Sequence, residues 1–532
     1  YSPRWCQLHA KSMTNIDPKK TTVCGRVGTG GTDGAGDNLD EDLSSCSSEG
    51  EHDEAMDEAL AVGGDATMAN NDSEDDDDDD DEDDDGDEES DQEGDGDAED
   101  TSGVFIPGKR VLADDEELVM DRSAYIVYQQ ATTAAPCLSF DILRDQLGNN
   151  RADVFPLTAY IVAGTQAEPH EQNHLLCMNM WNMHRLSDTR GDDDDDDDDN
   201  AEDVDGNGQP GAVDRKPKLN VAYIPHSGAV NRVRVQDLGN GRKICASWSD
   251  NKSVYLTDIS EAVAATEKAD LLARFVKNKL APSPLFKFSG HKAEGFGLDW
   301  SPVVVGQLAS ADCYRNIHVW RMADEANGGS RWKVDERPLV GHTASVEDVQ
   351  WSPNEASVLA SCSVDRTLRV FDIRANPAKA CMLTVEQAHA SDVNVISWNR
   401  LEQAFLLSGG DDGAINVWDL RQFKTGRPVS QFGYHKAPIT SIEWHPTDST
   451  VFAASSEDDC ITLWDLAVER DDEATQPAEA EPSGDVDDLP PQLLFIHQGQ
   501  QEVKECHWHP QMPGLLLSTA HSGFNIFRTI SV

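Results

Sequence analysis

Two neighbouring stretches decide the fold of this chain: AHASDVNVISW at residues 388–398 and LLSGGDDGAINVWD at residues 406–419. In both, apolar residues alternate with polar ones, as they do in β-strands that bury one face. The GGDDG segment at residues 409–413 is typical of a tight turn, because glycine and aspartate tolerate the backbone angles that turns require. The unit therefore predicts antiparallel strands joined by short turns.

The same unit recurs through the second half of the chain. Copies begin at GHKAEGFGLDWSP (290–302), GHTASVEDVQWSP (341–353) and YHKAPITSIEWHP (434–446). The tryptophans of successive copies are 51, 47 and 46 residues apart. A period of this length is typical of repeats that each form one four-stranded sheet.

Four residues of the unit at 388–419 have side chains that can form one hydrogen-bonded chain between strands. They are His389, Ser408, Asp412 and Trp418. The other copies lack one member each: Tyr314 replaces the aspartate, Phe371 replaces the tryptophan and Ala454 replaces the serine. The pattern is the signature of WD repeats, and the chain resembles WD-repeat β-propellers.

Three weaker copies complete the count. They lie at PLTAYIVAGTQ (156–166), HSGAVNRVRV (226–235) and VKECHWHP (503–510). Together the copies predict an all-β fold, a seven-bladed WD-repeat propeller. Only three strands of the last blade precede the end of the chain. Because an open blade would leave unpaired strand edges, we expect Cys137–Leu143 to supply its fourth strand.

The charge of the chain is confined to three acidic strings. The net charge is −56, of which −32 lies in residues 40–100, −11 in residues 188–205 and −8 in residues 469–488, leaving −5 for the rest. Strings this dense repel themselves and often act as interaction tails, and their natural partners are strongly basic proteins. Direct nucleic-acid binding through them is disfavoured, as is membrane binding.

The repeats divide the chain into three parts. We expect an acidic disordered tail at residues 1–103, an N-terminal segment with a short rim helix at 104–135, and the propeller at 136–532. Acidic insertions at 188–214 and 469–491 fall between the third and fourth strands of blades one and six. Because blades six, seven and one are neighbours in a closed ring, the three acidic strings are predicted to meet on one sector.

Several longer strings resemble a specific family. FIPGKR (105–110), EELVMDRSAY (116–125) and APCLSFDILRDQLGNNR (135–151) are similar to the glutamate-rich WD-repeat proteins, the ribosome-assembly branch of the retinoblastoma-binding type of WD-repeat histone chaperones. The tail here departs from that family because it is dominated by Asp rather than Glu. The blade-one run of eight aspartates is also unusually long.

The resemblance implies a groove that binds a basic segment of the client. One wall would be formed by the N-terminal segment, at Glu116, Glu117, Leu118, Tyr125 and Tyr128. The other would be formed by the blade-six insertion, at Asp485, Asp487, Asp488, Pro490 and Pro491. The charge pattern adds the acidic client-binding run Asp192, Asp193, Asp194, Asp195, Asp196, Asp197, Asp198 and Asp199.

The resemblance also implies the function and the partners. The expected client is the large-subunit ribosomal protein L-three, which the protein, as a monomer, escorts to pre-ribosomal particles in the nucleus and nucleolus. Shuttling from the cytoplasm is an open alternative. A histone-binding chromatin chaperone remains the first alternative. A substrate receptor of a cullin-RING ubiquitin ligase is the second, since WDLR (418–421) and FDIR (371–374) match the docking pattern of such receptors.

An enzyme is not expected. The chain has no GxxxxGK[ST], HExxH or GxSxG motif, and no cofactor is predicted. Cys506, His507 and His509 are close in sequence, but strand alternation places the cysteine and the histidines on opposite faces, so no metal site is expected. The 11 cysteines show no CxxC pair, which favours reduced thiols and an intracellular protein.

Overall fold

The computed structural model describes residues 27–29, 116–118, 120–189, 215–239, 241–324, 330–469 and 489–532. Within these ranges the backbone forms seven antiparallel sheets of four strands, arranged as the blades of a propeller, which confirms the predicted fold. In each blade the first strand is innermost and the fourth is outermost. The predicted tail at residues 1–103 lies outside the described residues except for a strand at 27–29.

Blades 1 to 3 occupy residues 137–334. The strands of blade 1 are β4 (Cys137–Leu143), β5 (Leu157–Thr165), β6 (His174–Met183) and β7 (Lys218–Pro225). Those of blade 2 are β8 (Val230–Gly239), β9 (Arg242–Ser249), β10 (Ser253–Asp258) and β11 (Phe286–Phe288). Those of blade 3 are β12 (Leu298–Trp300), β13 (Gln307–Ala311), β14 (Ile317–Asp324) and β15 (Ser330–Val334).

Blades 4 to 6 follow the same order. The strands of blade 4 are β16 (Val346–Trp351), β17 (Val358–Ser363), β18 (Leu368–Asp372) and β19 (Cys381–Val385). Those of blade 5 are β20 (Val393–Trp398), β21 (Phe405–Gly410), β22 (Ile415–Asp419) and β23 (Ser430–Phe432). Those of blade 6 are β24 (Ile439–Trp444), β25 (Val451–Ser456), β26 (Ile461–Asp465) and β27 (Leu493–His497).

Blade 7 combines both ends of the described chain. Its strands are β28 (Val503–Trp508), β29 (Leu515–Ala520), β30 (Gly523–Thr529) and β3 (Tyr125–Ala131). A separate pair joins β1 (Val27–Thr29) to β2 (Glu116–Leu118). Two helices, α1 (Ser260–Ala265) and α2 (Ala269–Lys277), lie between β10 and β11.

The ring closes with a different strand from the one predicted. Tyr125–Ala131 pairs with β30 as the fourth strand of blade 7, whereas Cys137–Leu143 is the first strand of blade 1. Burial explains the difference, because five of the seven residues of Cys137–Leu143 are buried, as an innermost strand requires, and Tyr125–Ala131 exposes more of one face. The propeller therefore begins at Tyr125, and the boundary predicted at residue 136 is wrong.

The predicted rim helix is also wrong. Residues 122–124 form one 3₁₀ turn, capped by Asp121, and the extended strand β3 follows directly. The sequence YIVYQQA is rich in aromatic and β-branched residues, which pack well in a sheet. Tyr128 lies opposite Phe527 in the strand pairing, and the Tyr125 ring packs edge-on against Phe527 with ring centroids 6.1 Å apart.

In blades 3 to 7 a tryptophan ends the first strand and contacts the preceding blade. The Trp351 backbone N–H donates to Asp299 Oδ2 (2.7 Å), and its indole Nε1–H donates to the Asp299 carbonyl (3.1 Å). Trp508 repeats both contacts with Glu443, at 2.8 and 3.2 Å. The period in the sequence therefore has a physical cause: one anchored tryptophan is needed at these blade boundaries.

The residues of the hydrogen-bonded tetrad in blade 5 meet as the sequence indicates. Trp418 Nε1–H donates to Ser408 Oγ (2.8 Å), which lies 2.7 Å from His389 Nε2, and His389 Nδ1 lies 3.0 Å from Asp412 Oδ1. Because the carboxylate can only accept, Nδ1 carries the proton and Nε2 accepts from the serine.

Two further tetrads use residues that the repeat pattern does not reveal. In blade 6, Thr462 takes the role lost at Ala454, since its Oγ1 lies 2.8 Å from His435 Nε2 and accepts from Trp464 Nε1 at 2.7 Å. In blade 3, Asp312 replaces the aspartate missing at position 314 and lies 3.0 Å from His291 Nδ1. The blades at these positions are therefore complete, contrary to the sequence interpretation.

The Thr462 tetrad gives a first prediction. We expect Thr462→Val to lower the free energy of unfolding by about 1–3 kcal/mol, because two buried groups, the Trp464 indole and the His435 ring, lose their shared partner. Urea titration measures the change, with the exposed Thr132→Val as the control. Equal stability of the two variants would contradict the assignment of this tetrad.

Candidate functional site

The segments that lead into the three acidic strings pack against one another. Leu186, which precedes the blade-one insertion, belongs to the same apolar cluster as Tyr125 of β3 and Leu463 of blade 6. Phe495, which follows the blade-six insertion, packs against that cluster. Blades 6, 7 and 1 therefore bring the bases of both insertions and the strand after the tail into contact.

A shallow pocket of about 300 Å³ opens at this junction. Arg122, Ser123 and Ile126 line it from the N-terminal side. Residues 185–187, at the start of the blade-one insertion, line the other side. The pocket thus joins the N-terminal segment to the base of the insertion.

Both insertions leave from the same kind of hairpin. β6 ends at Met183 and β7 begins at Lys218, and β26 ends at Asp465 and β27 begins at Leu493, so each insertion joins a third strand to a fourth. At the base of the blade-six insertion, Gln492 Nε2 donates to the Val468 carbonyl at 3.0 Å. At the base of the blade-one insertion, Asn182 Nδ2 donates to the Lys216 carbonyl at 2.9 Å.

Tyr125, predicted to line the groove, lies in the core instead. Its side chain is only 4% exposed, and its hydroxyl lies 2.9 Å from His497 Nδ1. Burial lowers the pKa of His497 to about 3, so the ring is neutral, and it stacks on Phe527 with ring centroids 3.8 Å apart. Because Asn525 donates to Nε2, the ring proton sits on Nδ1 and donates to the Tyr125 hydroxyl. Tyr125 therefore joins blades 6 and 7.

The role of Tyr125 can be tested directly. We expect Tyr125→Phe to lower the free energy of unfolding by about 1–2 kcal/mol, because the buried His497 N–H loses its acceptor. A core residue should leave client affinity unchanged, which is measured by titration with a basic client protein. If Tyr125→Phe has wild-type stability but binds the client much more weakly, Tyr125 contacts the client, as the sequence predicted.

Tyr128, Pro490 and Pro491 keep partial exposure at the same junction. Tyr128 accepts a hydrogen bond from Gln130 Nε2 at 2.6 Å, and burial raises the pKa of its hydroxyl to about 12. The two prolines precede β27, where the Leu493 N–H donates to the Pro490 carbonyl at 3.0 Å. These three are the predicted groove residues whose side chains the structure describes as accessible.

The other predicted contact residues cannot be located by their side chains. The run Asp192–Asp199 and the acids Asp485, Asp487 and Asp488 lie outside the described residues. Glu116, Glu117 and Leu118 form β2, of which only the backbone is described. Their role in client binding stays a prediction.

Sequence reasoning missed a buried ionic cluster on the innermost strands. Glu505 Oε1 lies 2.6 Å from Arg232 Nη1, 2.8 Å from Arg234 Nη2 and 3.3 Å from His507 Nε2, and Glu505 Oε2 accepts from the Phe140 N–H at 2.9 Å. The Glu505 side chain is 1% exposed. One carboxylate therefore links blades 7, 1 and 2 where the ring closes. The sequence did contain a sign of this cluster: Arg232 and Arg234 lie on an inner strand, where a buried charge needs a partner.

His507 makes the stability of this cluster depend on pH. Burial alone would lower the pKa of His507, but Glu505 and Glu443 raise it to about 9. Because this pKa is higher than the ordinary value of 6.5, the folded state holds the His507 proton more tightly than the unfolded state does. The resulting stabilisation, up to about 3 kcal/mol, is fully present below pH 6.5 and is lost as the pH rises through 9. Urea titrations from pH 6 to pH 10 should show wild type losing its advantage over His507→Gln. A constant difference would contradict the ion pairing.

Among the described residues, no helix is long and apolar enough to span a bilayer. Nor do three or more histidine, cysteine or acidic side chains of the described ranges converge as they would around a metal ion.

Comparison with protein families matches two parts of the chain. Residues 115–184 match the family described as the histone-binding protein RBBP4, or a subunit of the CAF1 complex. Residues 334–372, 380–419 and 426–465 match the WD domain, G-beta repeat. The first match covers β3 and the first three strands of blade 1, and the others cover much of blades 4 to 6.

Individual relatives extend the similarity over most of the propeller. The Arabidopsis thaliana protein HEAT STRESS TOLERANT DWD 1 is 43% identical over 81% of this chain and 92% of its own length. Glutamate-rich WD repeat-containing protein 1 of Dictyostelium discoideum is 43% identical over 80% of this chain and 84% of its own. Ribosome assembly protein rrb1 of Schizosaccharomyces pombe is 37% identical over 82% and 86%. The chain belongs to the family of glutamate-rich WD repeat-containing proteins.

Proposed function

We propose that this protein is a non-enzymatic ribosome-assembly chaperone, which holds a basic ribosomal protein on the sector where blades 6, 7 and 1 meet. The observation that carries the proposal is the shared cluster of Leu186, Tyr125 and Leu463, because it gathers the bases of both acidic insertions and the strand after the tail. The name of the rrb1 relative supports the process. The proposed client is the large-subunit protein L-three, and the proposed site of action is the nucleus and nucleolus.

The mechanism is electrostatic shielding combined with local recognition. The acidic strings cover the lysines and arginines with which the client binds RNA, and this suppresses aggregation and premature RNA contact. The half-buried Tyr128, Pro490 and Pro491 offer an apolar surface beside the strings for one specific segment of the client. Ribosomal RNA, a denser polyanion, then displaces the strings and takes the client.

A competition experiment tests the identity of the client. The purified full-length chain is titrated with L-three and with histone H3–H4 at one salt concentration, and each complex is challenged with the other protein. The proposal expects L-three to bind more tightly by at least about tenfold, which corresponds to about 1.4 kcal/mol. Tighter binding of H3–H4 would replace it with the histone-chaperone alternative, which the match of residues 115–184 favours.

A second observation favours the ubiquitin-ligase alternative. Arg374 Nη2 lies 2.6 Å from Asp372 Oδ2, and Arg421 Nε lies 2.9 Å from Asp419 Oδ1, so the two WDxR-type motifs hold their arginines in the same way. Both arginine side chains are more than 70% exposed. The Arabidopsis relative carries DWD in its name. Co-purification with a ligase adaptor that is lost in the double variant Arg374→Ala, Arg421→Ala would support this alternative.

A further inference from the structure

The helices between β10 and β11 pack on the neighbouring blade. Phe275 of α2 is 3% exposed and lies in one cluster with Ala222 and Ile224 of β7, with Leu272 packed against it. This apolar side fixes α2 against blade 1. The opposite side faces solvent and carries the charged residues of the helix.

The same helices lie beside the base of the blade-one insertion. The carbonyl of Thr266, between α1 and α2, accepts hydrogen bonds from Asn179 (3.2 Å) and Asn220 (2.8 Å), which face each other on β6 and β7. The next pair on that face of the sheet is Trp181 with Lys218, because side chains two residues apart share a face. Trp181 and Lys218 therefore adjoin the start of α2.

Residues 267–279 carry four cations against two acids, Glu267 and Asp270, so this stretch has a net charge of +2 in a strongly acidic protein. Lys268, Arg274, Lys277 and Lys279 are all exposed, and none forms an ion pair with a carboxylate in the parts of the chain that the structure describes. Arg242 and Lys243, on β9 of the same blade, are in contrast paired with Asp258 and Asp237. The four cations of α2 and its flanks are thus available to a polyanion.

An exposed aromatic ring lies beside the start of this stretch, at the end that carries Lys268. The Trp181 side chain is 36% exposed on an outer pair of strands, and Lys218 Nζ lies 5.2 Å from its ring centroid. Cations that follow a backbone together with an aromatic face on which a base can stack are the recurring components of single-stranded nucleic-acid sites. An acidic protein segment would use the cations but would have no use for the indole.

We propose that α2 with Lys268, Lys279, Trp181 and Lys218 is a binding surface for single-stranded RNA, at the blade-one edge of the proposed client sector. It goes beyond the proposed function, since it gives the protein its own contact with RNA. The cations bind phosphates and the indole stacks on a base. The acidic strings repel RNA, so a local basic surface beside one of them would hold the RNA near the client that it is to receive.

Fluorescence anisotropy with a labelled single-stranded RNA tests the proposal on the full chain. Four phosphate contacts on a single strand predict a slope of about −3 for log affinity against log salt, or about a 50-fold loss from 50 to 200 mM salt. The variant Lys268→Gln, Arg274→Gln, Lys277→Gln, Lys279→Gln should lose most of this slope. Trp181→Ala should weaken RNA binding by about tenfold, whereas Trp181→Phe, which keeps an aromatic ring, should retain most of the wild-type affinity.

A matched variant separates this surface from general charge. Lys333→Gln, Lys379→Gln, Lys424→Gln, Arg427→Gln removes four exposed cations on blades 3 to 5, and it should bind RNA like wild type. Equal losses in both variants would overturn the proposal, as would RNA binding that appears only after deletion of Asp192–Asp199, which would assign the surface to the chain's own aspartates. Client affinity, measured on the same variants, should stay within about twofold of wild type, so the two proposals fail independently.

Discussion

Glu505→Ala is expected to lower the free energy of unfolding by about 3–5 kcal/mol, the largest effect of a single substitution proposed for this protein. The reason is that Arg232 and Arg234 would keep their buried positive charges without the carboxylate that balances them, and His507 would lose one of the two carboxylates that raise its pKa. The Phe140 N–H would also lose its acceptor, at the point where blade 1 meets blade 7. Removing one partner of a buried ion pair costs more than the pair itself contributes, because the remaining charge is left desolvated.

The measurement is urea titration near neutral pH, where Glu505 is ionised because its arginines hold its pKa well below the ordinary value. The stability of Glu505→Gln should lie between those of Glu505→Ala and wild type, since the amide oxygen can still accept one hydrogen bond. The exposed Glu502→Ala, three residues away, is the control and should change stability by less than about 1 kcal/mol. A Glu505→Ala variant as stable as this control would show that ring closure does not depend on the cluster.

The second large effect is expected for the blade-one run. Replacing all of Asp192–Asp199 by Asn keeps the length and polarity of the segment but removes eight negative charges. If each contributes about 0.25 kcal/mol, the low end for exposed ion pairs, the loss is about 2 kcal/mol, or roughly 30-fold in affinity for L-three. Isothermal titration calorimetry at low salt measures it, and the stability of the propeller should not change.

Two further variants show whether position matters as well as charge. Asp192–Asp195→Asn removes four charges from the run, and Glu336→Gln, Glu355→Gln, Glu386→Gln, Glu402→Gln removes four exposed charges from blades 3 to 5. The first should weaken client binding by about fivefold, by the same arithmetic, and the second by less than about twofold. Similar losses in both would mean that only net charge counts and that the client has no preferred sector.

The repeat pattern predicted the blade count because most tryptophans of the first strands share one task. The indoles of Trp300, Trp351, Trp444 and Trp508 donate to the preceding blade, whereas that of Trp398 donates to Gln403 of its own blade. Substitutions inside the tetrads were harder to see. Thr462 lies on a different strand from the serine that it replaces, yet its hydroxyl reaches the same point between His435 and Trp464. Aligning the repeats compares residues at equivalent sequence positions. The tetrad needs only a hydroxyl group between the histidine and the tryptophan, and a residue of a neighbouring strand can supply it.

The closing strand and the placement of Tyr125 were predicted wrongly for a related reason. Both Tyr125–Ala131 and Cys137–Leu143 have apolar residues suited to a strand, and only burial on both faces assigns the second to the centre of blade 1. Tyr125 was placed on a groove wall because the resemblance to the histone chaperones implied a helical N-terminal segment there. In β3 the same side chain turns inward to His497, and Tyr128 keeps the partial exposure.

The central claim, that a basic client is held by charge on the sector of blades 6, 7 and 1, is tested most directly by the salt dependence of L-three binding to the full-length chain. Exposed charges are screened within about 8–10 Å at physiological salt, so the account predicts that affinity falls by at least about tenfold as salt rises from 50 to 200 mM. The Asp192–Asp199→Asn variant should show a shallower fall. An affinity that does not change with salt in either protein would contradict the account.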